Sequence, residues 1–275
     1  MTHHQPTDHT ARIPVHPRYL AGTTMEGYAD ILDALVGTHG WSGADDPYAN
    51  YYATSPCHRF RLGFMPELWP EPIVQVTAAT APMRSPLWHI AFDQHTPQEL
   101  IAAVTEDLAD AIRDHAALTP RHFHPGAHST VAPLASEWST WSGAGNTMHL
   151  APDALASLVI HRPSDPGVPA EQQMTWSFRG GITTHAWHAD FSYHTPDRLI
   201  RAFHQAVTSS APLLRQPDDI PTVHLPHIGG EHHDHLRRQG AAQQRSVMEP
   251  PPAPARTPAP ATAPQGLGQY PRHHP

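Results

Sequence analysis

Apolar and polar positions along the first half of the chain change period from two to 3.6, and the change locates its elements. Phe60, Leu62 and Phe64 alternate with Arg59, Arg61 and Gly63, an Ile73-Val-Gln-Val-Thr77 run follows, and Trp88, Ile90 and Phe92 then alternate with His89 and Ala91. Such alternation predicts strands with one buried face. Residues 50–54, ahead of the Ser55-Pro56 turn signal, predict a further strand in a hairpin with 58–65. Leu100, Ile101, Val104, Leu108 and Ile112 then recur on one helical face. Just before them, Thr96-Pro97-Gln98-Glu99 predicts an N-cap threonine, a proline at the first helical position and a capping-box glutamate. The unit reads ββββα. An additional helix is expected over 24–36, with Thr23 and Glu26 as a capping box and Gly37 at its C-terminal end.

The same order returns about a hundred residues later. Residues 88–103 lie over 187–202 at a constant offset of 99, with nine identities in sixteen positions. Chance would give about one, so this is a tandem repeat. Trp88, Phe92, Thr96 and Pro97 recur as Trp187, Phe191, Thr195 and Pro196, while Trp41-Ser42-Gly43 recurs as Trp141-Ser142-Gly143. Strands are expected at 147–150, 155–161, 173–179 and 186–192, and a helix from Thr195-Pro196 carrying Leu199, Ile200, Phe203 and Val207. The recurring aromatic rings are expected to form the sheet face that each helix covers.

These periods define an α+β chain with two tandem ββββα units in a pseudo-twofold relation. The expected division is a disordered N-terminus over 1–13, a first unit with its own N-terminal helix over 14–115, a second unit over 116–215 and a disordered tail over 216–275. Whether the units share one sheet is left open by the pattern. The tail is rich in Pro and His, with Ile220, Val223, Ile228 and Val247 scattered through it. Few apolar side chains leave little to offset ordering entropy.

Composition changes this picture at three points. All 17 cationic residues are arginine, 12 of them facing 20 carboxylates within residues 1–215, so the net charge of -8 belongs to the repeats. Such a body repels nucleic acid in bulk and requires any phosphate-binding site to be a local patch. The single cysteine, Cys57, excludes an internal disulfide and every multi-cysteine zinc site. Nothing approaches a membrane-spanning apolar run, and the start MTHHQPTDHTARIP lacks the features of a secretory signal, so the expected address is the cytoplasm.

The residues resemble one family. Pro17-Arg18-Tyr19-Leu20-Ala21-Gly22, Gly40-Trp41, Ser55-Pro56 and the ending Trp88…Phe92…Thr96-Pro97…Leu100-Ile101 are similar to the SPDY domain family of GC-rich filamentous bacteria. That family takes its name from a Ser-Pro-Asp-Tyr motif, and its members often carry two copies. The resemblance covers roughly residues 14–215 and departs at Cys57 and Ala151, where Asp and Ser would be expected. It supports the repeat and implies no reaction.

Candidate chemistry is sparse. No nucleophile elbow, phosphate loop, dinucleotide fingerprint or H-E-x-x-H motif is present, so no catalytic residue and no cofactor is expected. His122, His124, His128, His224, His227, His232, His233 and His235 cluster without a rigid frame to orient them, so no metal site is expected either. His89 and His188 are expected to point away from the Trp–Phe face, and His95 and His194 to serve the turn before each helix. The leading expectation is a non-enzymatic intracellular binding or regulatory protein with a protein partner. The alternative is single-stranded nucleic-acid binding on the sheet, with Arg59, Arg61, Arg179, His89 and His188 as the exposed surface, similar in outline to Whirly and PUR-type folds. A third reading places a histidine acid or base in a cleft between the units.

Overall fold

A computed structural model of the chain describes residues 12–68, 72–114, 137–143, 146–161 and 174–229. The first half contains β1 (Ile13–Val15), α1 (Met25–Asp33), β2 (Ser42–Asp45), β3 (Tyr51–Thr54), β4 (Phe60–Phe64), β5 (Val74–Ala79), β6 (Pro86–Phe92) and α2 (Gln98–Arg113). The second contains β7 (Ser139–Gly143), β8 (Asn146–Leu150), β9 (Ala156–His161), β10 (Met174–Gly180), β11 (Trp187–Ser192), α3 (Asp197–Thr208) and β12 (Leu213–Arg215). Each repeat therefore has one strand more than the hydrophobic pattern predicts. The additional strands lie at the Trp-Ser-Gly repeat: β7 contains all of it, while β2 begins just after the buried Trp41; both are exposed throughout and take strand form by pairing with β3 and β8.

Ten strands make one antiparallel sheet in the order β2-β3-β4-β5-β6-β11-β10-β9-β8-β7. At about 4.8 Å between strands it is roughly 43 Å wide. The repeats meet where β6 pairs with β11, placing Ile90 opposite Phe191, Ala91 opposite Asp190 and Phe92 opposite Ala189. Ala91 and Asp190 are equivalent at offset 99, so the pseudo-twofold axis passes between them. Opposed residues in a ladder point to the same face, and this fixes the two surfaces of the sheet.

The helices α1, α2 and α3 lie on the face of Trp88, Phe92, Trp187 and Phe191, each 2% exposed or less. The Tyr28 ring of α1 stacks on Phe64 at 4.9 Å, and Ile101 of α2 meets Leu62, Phe64 and Val74. From α3, Phe203 sits 4.8 to 6.0 Å from the rings of Phe178, Phe191, Phe92 and Trp187. Edge-to-face contacts of this kind add to the area the rings bury. Gly180 makes room for one of them: a Cβ there would stand 2.6 Å from the indole of Trp187, its opposite residue.

The helix starts differ from the local prediction. Thr24, not Thr23, caps α1 by accepting the Gly27 N–H, and the helix runs on into a π-helical turn, Ala34–Thr38, with Gly37 inside it. At α2 the N-cap position falls on Pro97 and the capping box does not form. Thr96 instead donates its hydroxyl to Asp93 Oδ1 at 3.0 Å and to the His188 carbonyl at 3.2 Å, while Glu99 binds Arg215 through both carboxylate oxygens at 2.6 and 2.5 Å. Partners from the other repeat and from β12 take both groups away from the helix end.

The ends of the described chain are folded onto each other, which moves both expected boundaries. Ile13 opens β1 rather than belonging to a disordered N-terminus, and β1 pairs with β12. Residues 216–229, assigned to the tail by composition, form turns in which Ile220, His224 and Ile228 are buried. Four consecutive carbonyls of the N-terminal segment receive three buried side chains. Tyr19 accepts from Trp187 Nε1 at 2.9 Å, Leu20 from His224 Nδ1 at 2.8 Å, and Ala21 and Gly22 from the Arg215 guanidinium at 3.2 and 3.3 Å. Backbone polar groups buried away from water need such partners. The remainder of the expected tail, 230–275, lies outside the described residues.

Candidate functional site

The seam between the repeats carries a dense polar arrangement. Asp93, just past the end of β6 and buried, accepts the backbone N–H of His188 at Oδ2 and those of His95 and the Thr96 hydroxyl at Oδ1, at 2.9 to 3.0 Å. Its Oδ2 also lies 2.9 Å from His188 Nδ1. The equivalent position in the second repeat is Ser192, whose Oγ accepts the backbone N–H of His89 at 2.9 Å. Thr195 Oγ1 reaches the His89 carbonyl at 3.5 Å, the counterpart of Thr96 on His188. The two repeats thus exchange matching bonds across the seam, but only one exchange includes a carboxylate.

That substitution divides the histidines chemically. The hydrogen bond to Asp93 raises the pKa of His188 above the usual value, against its partial burial. His89 has no such anion within bonding reach, and burial lowers its pKa despite the field of Asp190. The two imidazoles that flank one axis therefore titrate on opposite sides of the ordinary histidine value.

From this seam a row of opposed residues crosses the whole sheet on the face away from the helices: Ala44, Tyr52, Gly63, Gln75, Ala91, Asp190, Ser177, Val159, Met148 and Trp141. Its middle is built of short side chains, and Asp190, the one charge in the row, accepts the Ser177 hydroxyl at 2.5 Å. Its ends are large and exposed, with Tyr52 at 37%, Met148 at 39% and Trp141 at 49%. Among the described residues no helix packs on this face.

The arginines singled out from the sequence do not converge. Arg61 and Arg179 are exposed on this face, but β5, β6 and β11 lie between their strands, so they stand roughly 19 Å apart across the sheet. Arg61 lies against Met83 Sδ, and Arg59 turns its Nε to the Ala79 carbonyl and stacks near Phe60. Only Arg179 joins the seam, directly opposite His188. His89 and His188 flank a continuous pairing of strands, β6 with β11. The Asp93–His188 pair was missed in the sequence, although the one offset that aligns the repeats sets Asp93 against Ser192.

Elsewhere, a cavity of about 190 Å³ opens between α1, the π-helical turn and α2, lined by Asp30, His39, Gln98, Glu99, Thr105 and Glu106 among others. Cys57 is exposed in the β3–β4 turn with its Sγ 3.4 Å from Ser55 Oγ. Among the described residues no three His, Cys, Asp or Glu side chains are grouped to hold a metal ion, and no helix is long and apolar enough to cross a membrane. His122, His124 and His128 fall outside the described residues, as do His232, His233 and His235.

No curated protein and no solved structure matches the chain. The SPDY family, described as a domain of unknown function (DUF317), matches residues 54–112 and 151–213. These segments run from the end of β3 through α2 and from the β8–β9 turn to β12, the same stretch of each repeat. Two segments of the chain, one in each repeat, match the SPDY domain, and both lie in a single sheet.

Proposed function

We propose that the protein is a non-enzymatic intracellular binding protein that receives a protein partner on the sheet face away from its helices. The observation that carries this reading is the cross-sheet row, which holds one charge, Asp190 at its middle, and exposes Tyr, Met and Trp toward its two ends. Enrichment of exposed aromatic residues and Met is the composition of protein interfaces. Joining two small domains edge to edge makes a surface that neither has alone.

The separation of Arg61 from Arg179, with Asp190 between their strands, weighs against a phosphate-tracking groove. Affinity capture from native lysate, with and without nuclease, tests the reading. Capture by the wild type is expected to survive nuclease, to be lost in Thr77→Arg on the row's face, and to persist in Glu106→Arg on α2. Loss of all capture on nuclease treatment would transfer the assignment to nucleic acid.

A further inference from the structure

The strap formed by residues 213–229 is held over the N-terminal segment by a histidine that functions in one protonation state only. His224 is 1% exposed, and both ring nitrogens are engaged with backbone. Nδ1 faces the Leu20 carbonyl at 2.8 Å, which can only accept, so this nitrogen carries a hydrogen. Nε2 faces the Ile182 N–H at 3.1 Å, which can only donate, so this nitrogen must be a bare acceptor. The neutral Nδ1–H tautomer is the single form that satisfies both bonds. A second proton would set N–H against N–H in a buried site, where an unmade hydrogen bond is expensive.

The groups around the ring reinforce this. His185, from the turn before β11, has its ring 6.3 Å from that of His224, and the His95 ring, from the loop after β6, lies 5.4 Å beyond His185. His227 stands on the next turn of the strap itself. Burial lowers the pKa of His224, the fields of His185, His227 and His95 lower it further, and the Leu20 carbonyl opposes them. No carboxylate is among the groups acting on it; in the surrounding network Asp93 acts on His95, Asp153 accepts the Tyr19 hydroxyl and Glu99 is taken up by Arg215. Gly181 lies against the ring at a φ of +88°, and a Cβ there would stand 3.3 Å from Nε2 and only 2.6 Å from the His185 carbonyl oxygen, so no side chain fits.

We propose that His224 is an acid-released pin: a proton on its imidazole detaches the 213–229 strap from residues 19–22 while the ten-stranded sheet stays folded. The direction follows from linkage. Because the folded-state pKa lies below the ordinary value of about 6.5, the pin's contribution is complete above that pH and fades as pH falls beneath it. Release uncovers the carbonyls of Leu20, Ala21 and Gly22 together with the apolar contacts of Ile220 and Ile228.

Hydrogen–deuterium exchange of the full chain at pH 7.5 and 5.5, corrected for the intrinsic pH dependence of exchange, tests it. Peptides covering 213–229 and 13–22 should exchange about threefold to tenfold faster at pH 5.5, tenfold being the limit for a single imidazole of ordinary released-state pKa, with β5, β6, β10 and β11 changing less than about twofold. His224→Gln, which cannot titrate, should show equal strap protection at both pH values. If that variant does not fold, imidazole ¹⁵N shifts of the wild type serve instead, expected to report the Nδ1–H tautomer at pH 7.5 and a titration that tracks strap exchange. Unchanged strap protection at pH 5.5, opening of strap and sheet together, or an Nε2–H tautomer would each overturn the proposal.

Discussion

Asp93 and Ser192 occupy equivalent places in the two repeats, and each accepts the backbone N–H of the histidine across the seam at 2.9 Å. The bond is conserved between the repeats while the charge is not, and the difference sets the protonation of His188 apart from that of His89.

Exchanging these residues should therefore move the imidazoles rather than the fold. In Asp93→Ser the pKa of His188 is expected to fall, and in Ser192→Asp that of His89 to rise, both read by imidazole NMR titration. The sign for stability follows. His188 titrates above the ordinary histidine value, so its pairing with Asp93 contributes fully below about pH 6.5 and fades as pH rises through the folded-state pKa. The stability gap between wild type and Asp93→Ser in urea should accordingly narrow from pH 6 to pH 8. A constant gap would mean that the carboxylate acts only through its bonds to His95 and Thr96.

Arg215 is 4% exposed in its side chain and satisfies Glu99, Ala21 and Gly22 together. Replacing it by Met leaves a carboxylate and two carbonyls without their donor, at a cost of about 3 kcal/mol. Glu99→Gln should cost less, since an amide oxygen still accepts. Equal losses in urea denaturation would show that the charge pair, not the carbonyl bonds, dominates.

Chains ending at 229 and at 216 should differ sharply in thermal stability. The shorter lacks the buried Ile220, His224 and Ile228, and burial of an isoleucine side chain contributes about 1.5 to 3 kcal/mol. At about 2 to 4 °C per kcal/mol for a domain of this size, the shorter chain should melt roughly 10 °C lower. Coincident melting curves would mean that residues 217–229 add nothing to the fold.

The elements with a strong period were legible in the sequence, because alternation at Phe60 to Phe64 and the helical spacing from Leu100 to Ile112 are local signals. What escaped was decided at a distance. Thr96 and Glu99 have the spacing of a capping box, but a carbonyl at His188 and a guanidinium at Arg215 compete for them and win. The strands β2 and β7, short and rich in Ser and Gly, become strands only because a neighbour pairs with them. Residues 217–229 looked too polar to order, yet three buried side chains and a cradle of backbone carbonyls suffice. The joining of the repeats left a faint trace in β6, where Ala91 and Phe92 are both buried as in a central strand. For the site, the trace was the acid-for-serine difference between the equivalent turns, Asp93 against Ser192.

The most direct test of the binding face is a position-by-position photo-crosslinking map in native lysate. A photoreactive residue at Tyr52, Thr77, Ser157 or Trp141, all on the face away from the helices, is expected to form one common nuclease-resistant protein adduct. The same residue at Glu106 or Arg201, on the helical side, should form none. Adducts confined to the helical positions, or adducts that disappear with nuclease, would contradict the account.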